Sequence, residues 1–140
     1  MREILFRGKR LSDNQWIYGG YYTTGTESLV GKDSYIIQPW DIRCVGETIP
    51  IQTTQVFPDT VGMCVPGITD KNGKRIFEGD ILDYFGISYV VSWSKELLTY
   101  IVTSVNEEKE YLFYLNKANM DKVYVVGNIH DNPELLEVEI

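Results

Sequence analysis

No long segment of this chain keeps the roughly 3.6-residue apolar spacing that an amphipathic helix requires. Short apolar runs alternate instead with turn signals. They are densest from Thr60 to Trp93, which reads TVGMCVPGITDKNGKRIFEGDILDYFGISYVVSW. Asn72-Gly73 is the strongest hairpin cue there, because a type I′ turn needs positive φ at both central residues. Ile68 to Lys71 and Lys74 to Phe77 are its arms. Glu78-Gly79-Asp80 marks a second tight connection, leading into a strand from Ile81 to Phe85. Ile87, Tyr89, Val91 and Trp93 then alternate with Ser88, Val90 and Ser92, the period-2 pattern of a strand with one bulky face.

The flanking segments read the same way. Ile4 to Arg7 is a short strand ended by Gly8, and Gln15 to Tyr18 is a second, closed by Gly19-Gly20. With Leu11 to Asn14 as turn material, the two form an N-terminal hairpin. Thr23 to Asp33, rich in Thr, Gly and Ser, is expected to be a mobile loop. Ser34 to Gln38 is another strand, stopped at Pro39. Pro50 and Pro58 keep their surroundings out of central strand positions. Leu97 to Val105, Tyr111 to Tyr114 and Val123 to Val126 are further strands, with a helical turn expected over Asn116 to Asp121. Asn132-Pro133-Glu134 starts a short C-terminal helical turn, with Asn at the cap. Eighteen aromatic residues, ten of them Tyr, reinforce the strand reading. The expected fold is mainly β: a single domain over residues 1–140, with a small antiparallel, SH3-like barrel over about residues 58–130.

Charge and composition narrow the functions. Thirteen Lys and Arg against twenty Asp and Glu give a net charge of −7, which argues against binding nucleic acid by charge alone. Basic residues gather near the N-terminus (Arg2, Arg7, Lys9, Arg10) and acidic ones near the C-terminus (Glu134, Glu137, Glu139). This asymmetry permits head-to-tail contact between subunits. Cys44 and Cys64 have no metal-binding spacing and read as reduced thiols. No apolar run approaches the roughly 18–20 residues of a membrane span, and no secretory leader is visible. A cytoplasmic protein without membrane partners is expected.

Taken together, Phe6-Arg7-Gly8, Trp16 and Tyr18, Thr60-Val61-Gly62, Gly67 through Gly73, Ile76 through Ile81, Val90 through Trp93, and Gly127 through Leu136 resemble the YopX family of phage and prophage proteins. The resemblance spans nearly the whole sequence. Met63-Cys64 and His130 depart from the family's usual choices without disturbing the turn framework. The resemblance implies a β domain carried by tailed phages or prophages, working in the cytoplasm of a bacterial host. It implies a homo-oligomer and a phage or host protein as partner, and it supplies no catalytic residues.

Several residues invite chemical readings. Asp70, Glu78 and Asp80 could gather around Mg²⁺ in a small metal-dependent enzyme. Turn chemistry accounts for the same residues without a metal, with Asp80 accepting from backbone N–H groups and Glu78 facing water. His130 is the sole histidine. Asp131 is too close in sequence to orient it, and Cys64 between Met63 and Val65 reads as a buried thiol, not a nucleophile. Gly62, Gly67, Gly73 and Gly79 are too scattered for a phosphate loop and punctuate turns. Trp16, Tyr18, Tyr21 and Tyr22 could stack nucleobases beside the basic N-terminal strand, although core and subunit packing uses the same residues. The expected assignment is therefore structural turns at Gly62, Gly67, Asn72, Gly73, Glu78, Gly79 and Asp80. No catalytic, cofactor or metal residues are expected. The expected function is that of a non-enzymatic accessory or assembly protein, with nucleic-acid binding as the first alternative.

Overall fold

The computed structural model describes residues 4–24, 33–39, 51–105, 112–114 and 122–136. The expected helical turn over Asn116 to Asp121, the centre of the Thr23–Asp33 loop and Cys44 lie outside them. The protein forms two compact units, one from Ile4 to Met63 and one comprising Cys64 to Ile140 with the first three residues.

In the first unit, β1 (Phe6–Lys9), β2 (Trp16–Thr24), β3 (Asp33–Pro39) and β4 (Ile51–Val56) run antiparallel in that order. The other side of β1 takes Gly62 and Met63, the start of β5 (Gly62–Thr69). The expected N-terminal hairpin is present, with Arg7 opposite Tyr18 and Lys9 opposite Trp16. β2 is longer than expected and β1 is shifted two residues further along the chain, because the glycines do not end them. Gly8 lies within β1, where a Cβ would sit 3.0 Å from a Val56 methyl. Gly19 lies within β2, where a Cβ would strike the Ile37 carbonyl. These glycines serve close packing instead of turns. Ile17, Ile36 and Val56 make the core, with Phe6 and Val61 packed on it. A single 3-10 turn (Pro58–Thr60) follows β4. Its Thr60 hydroxyl accepts from Lys9 N at 2.9 Å and donates to Phe57 O at 2.7 Å, which ties the Thr-Val-Gly segment to β1.

The backbone passes into the second unit within β5. There β6 (Arg75–Phe77) pairs with β5 across an irregular register. The remaining strands are β7 (Asp80–Tyr84), β8 (Ile87–Ser94), β9 (Thr99–Ser104), β10 (Leu112–Tyr114) and β11 (Val123–Asn128). They form an antiparallel sheet of order β10-β9-β8-β7-β11. The alternation read in β8 holds at its centre, where Tyr89 and Val91 are buried and Trp93, near the end, is exposed. Val65, Ile76, Leu82, Tyr89, Val91, Val102 and Val123 form the core.

The mainly β class holds, but the barrel does not close. β10 and β11 are opposite edges of an open sheet among the described residues. Closure needs the last strand to pair back around the sheet. Here β11 pairs with β7, and β10 ends the sheet on the far side.

The turn chemistry also differs from expectation at one point. Asn72 does not have positive φ, whereas Gly73 does (80°). Gly73 N donates to Asp70 O and Asp70 N to Lys74 O, so the turn runs Asp70-Lys71-Asn72-Gly73, and its last residue, the glycine, is left-handed. Without positive φ at Lys71 and Asn72, this matches a type I turn that ends in a left-handed residue. The two-residue loop with positive φ at both positions lies instead at Phe85 (51°) and Gly86 (82°), between the paired Tyr84 and Ile87.

Candidate functional site

The residues weighed for chemistry in the second unit lie in three connected turns. The first centres on Asp70, which is 5% exposed. Its Oδ1 accepts from Asn72 N at 2.9 Å and from Lys74 N at 2.8 Å. Its Oδ2 accepts from Val125 N at 3.0 Å, a residue 55 positions further on. One carboxylate therefore shapes the β5–β6 turn and fastens it to β11. Lys71 N adds a bond to Val123 O, and the Lys71 ammonium lies 4.4 Å from the centre of the Tyr124 ring.

The second turn is Glu78-Gly79-Asp80. Asp80 is 2% exposed, and its Oδ2 accepts from Phe77 N at 2.8 Å. Gly79 has φ of 86°. Its N–H donates to Val91 O and its carbonyl accepts from Ile129 N, each at 2.9 Å. Glu78 does not face water as expected. It is half-buried and shares a hydrogen bond with the Tyr100 hydroxyl. Burial, and then the nearby Glu78 carboxylate, hold the Tyr100 phenol above its ordinary range. Strand pairing explains the correction: Tyr100 lies opposite Trp93 at the end of β8–β9, packed against the core of this unit.

The third turn follows β11. Asn128 Oδ1 accepts from His130 N at 3.0 Å and Asp131 N at 2.9 Å, and its Nδ2 donates to Asp131 Oδ2 at 3.0 Å. Asn132 Oδ1 accepts from Asn128 N at 3.2 Å. The expected forward cap by Asn132 is thus replaced by a bond backward to β11, made before the 3-10 turn (Pro133–Leu136) begins. This bond requires Gly127, because a Cβ there would sit 2.8 Å from Asn132 Cγ.

The remaining expected turn residues divide. Gly67 has φ of 74°, within the irregular part of β5. Gly62 lies in β5 opposite Arg7 and marks strand pairing, not a turn. Cys64 is buried, with its Sγ 3.7 Å from Val65 O. His130 is half-buried near Gly79. Among the described residues, no three His, Cys, Asp or Glu side chains converge as metal ligands. Sequence reasoning misses Asn128 and Gly127, whose signal is the density of Asn, Asp and Gly from 127 to 132. It also misses the reach of Asp70 to Val125, which has no local signal.

The first unit carries the aromatic face. Trp16 and Tyr18 on β2 stand opposite Lys9 and Arg7 on β1. The Arg7 guanidinium lies 4.4 Å and the Lys9 ammonium 5.3 Å from the Trp16 ring centre. Both cations are buried, so their charge is engaged within the fold. Tyr22 continues the face, next to Tyr35, with ring centroids 6.4 Å apart. Tyr18 and Tyr22 are exposed. Tyr21 points to the other side, against Phe6 and the Ser34 hydroxyl.

The three turns and the Thr60 junction are built from the segments that carried the family resemblance. The protein belongs to the YopX protein family, whose model matches residues 5–137. The comparison with curated proteins gave no significant match. Among the described residues, no helix is long and apolar enough to cross a membrane.

Proposed function

We propose that this protein is a phage or prophage accessory or assembly protein that works through protein contacts, as a homo-oligomer, and is not an enzyme. The observation that carries the reading is the use of the acidic residues. The Asp70 carboxylate accepts three backbone N–H groups, and Asp80 accepts from Phe77 N. Carboxylates so engaged hold turns, whereas a catalytic Mg²⁺ site needs oxygen ligands that converge on one point. The exposed Tyr18 and Tyr22 side chains on β2 supply the residue type that protein interfaces favour. The buried Arg7 and Lys9 leave this face little free positive charge for a polyanion, which favours protein over nucleic acid as the partner.

Light scattering at micromolar concentration is expected to give a mass above that of one protomer. Tyr18→Ser with Tyr22→Ser is expected to lower that mass while the far-ultraviolet dichroism stays unchanged. A monomer at every concentration tested would reject the oligomer. Saturable Mg²⁺ or Mn²⁺ binding, lost in Asp80→Asn, would overturn this and put the enzyme reading first.

A further inference from the structure

Asn72-Gly73 lies at the tip of the β5–β6 turn, and both residues are exposed. Apart from its chain neighbours, no heavy atom lies within 4 Å of a Cβ built on Gly73, so the glycine's outer side is open to solvent. An asparagine followed by glycine has its own chemistry. The Gly73 nitrogen can attack the Asn72 Cγ carbonyl, forming a five-membered imide. The Cγ–Nδ2 bond breaks and ammonia leaves, carrying the proton lost by the Gly73 nitrogen. Water then opens the imide at either carbonyl, giving aspartate or isoaspartate. Solvent water is the only co-reactant, and no electrons are transferred.

In the folded turn that nitrogen is engaged, since Gly73 N donates to Asp70 O at 3.0 Å. The flanking amides, Asn72 N and Lys74 N, both donate to Asp70 Oδ1. Attack therefore requires these bonds to open and Asn72 to leave its turn conformation. We propose that Asn72-Gly73 is a self-modification site gated by Asp70, closed while the Asp70 turn is formed and reactive when it opens. The product is not neutral for the turn. Isoaspartate adds a methylene to the backbone between Asp70 O and Gly73 N, and either product sets a second carboxylate beside Asp70. The modification thus weakens the element that also holds Val125 of β11.

The test incubates the full-length protein at mildly alkaline pH, native and in denaturing urea, and follows the 72–73 peptide by mass spectrometry. Conversion in the native protein is expected to be at least about tenfold slower, because reaction through local opening scales with the open fraction. Asn72→Gln is expected to abolish the signal in both conditions. Asp70→Asn, which weakens the gate, is expected to speed conversion in native buffer. Should that variant fail to fold, hydrogen exchange of the wild-type Gly73 and Lys74 amides supplies the same information, with protection expected at both. Equal rates in native buffer and urea, absence of conversion in urea, or unprotected Gly73 and Lys74 amides would each overturn the proposal.

Discussion

Gly127 and Phe85 show how single positions decide local structure. Asn132 occupies the space above Gly127 and holds Asn128 N, so any side chain at 127 displaces it. Gly127→Ala is expected to cost about 1–3 kcal/mol, the range for overpacking a closed site. In Asn132→Ala the same substitution should cost less, and a double-mutant cycle by urea unfolding checks this. Phe85 is the opposite case. It takes φ of 51° in a two-residue hairpin loop and is 73% exposed, where Asn is the preferred residue. Its edge-on contact with Tyr84, at 4.5 Å between centroids, offsets part of that cost. Phe85→Asn is therefore expected to leave the protein at least as stable as before; a fall of about 1 kcal/mol or more in unfolding free energy would contradict the strain argument.

At the scale of elements, the legibility of the sequence follows the range of each interaction. The alternation in β8 and the short strands around it are readable because side-chain direction repeats every second residue. The ends of β1 and β2 mislead because Gly8, Gly19 and Gly20 look like punctuation. What sits across from Gly8 and Gly19, Val56 and the Ile37 carbonyl, is distant in sequence. Asn72-Gly73 reads rightly as a turn but with the wrong type, since Asp70 supplies a carboxylate acceptor that favours a longer loop. Glu78 reads as solvated because nothing nearby in sequence announces Tyr100. That contact has a measurable signature. Burial and Glu78 raise the Tyr100 phenol above the ordinary value of 10.0. The folded protein then keeps this proton when the unfolded form loses it. The contribution is complete below pH 10.0 and is lost as pH rises beyond it. Tyr100→Phe is expected to flatten the alkaline decline in urea midpoint above that pH, and an unchanged decline would remove Tyr100 as its source.

For the molecule as a whole, the segments that carried the family resemblance prove to be joinery. Thr60 fixes the 3-10 turn to β1, Asp70 fixes a hairpin to β11, and Asn128 and Asn132 close the end of β11. Substitutions in these segments will therefore report on folding before they report on partners. Surface residues such as Tyr18 and Tyr22 are the better probes of function.

The Asp70 bridge to Val125 also carries a kinetic consequence. Two of the three amides that Asp70 holds lie within four residues of it, while the third closes a loop of 55 residues. Closing a flexible loop of that length costs on the order of 3–4 kcal/mol in conformational entropy. The hairpin turn is local and is expected to form before β11 arrives, with the Val125 bond made late in assembly. Asp70→Ser keeps a short acceptor for the turn but cannot span to β11. In stopped-flow measurements its unfolding arm is expected to rise several-fold while its folding arm barely moves. A slowed folding arm with unchanged unfolding would place the capture of β11 at the start of folding instead.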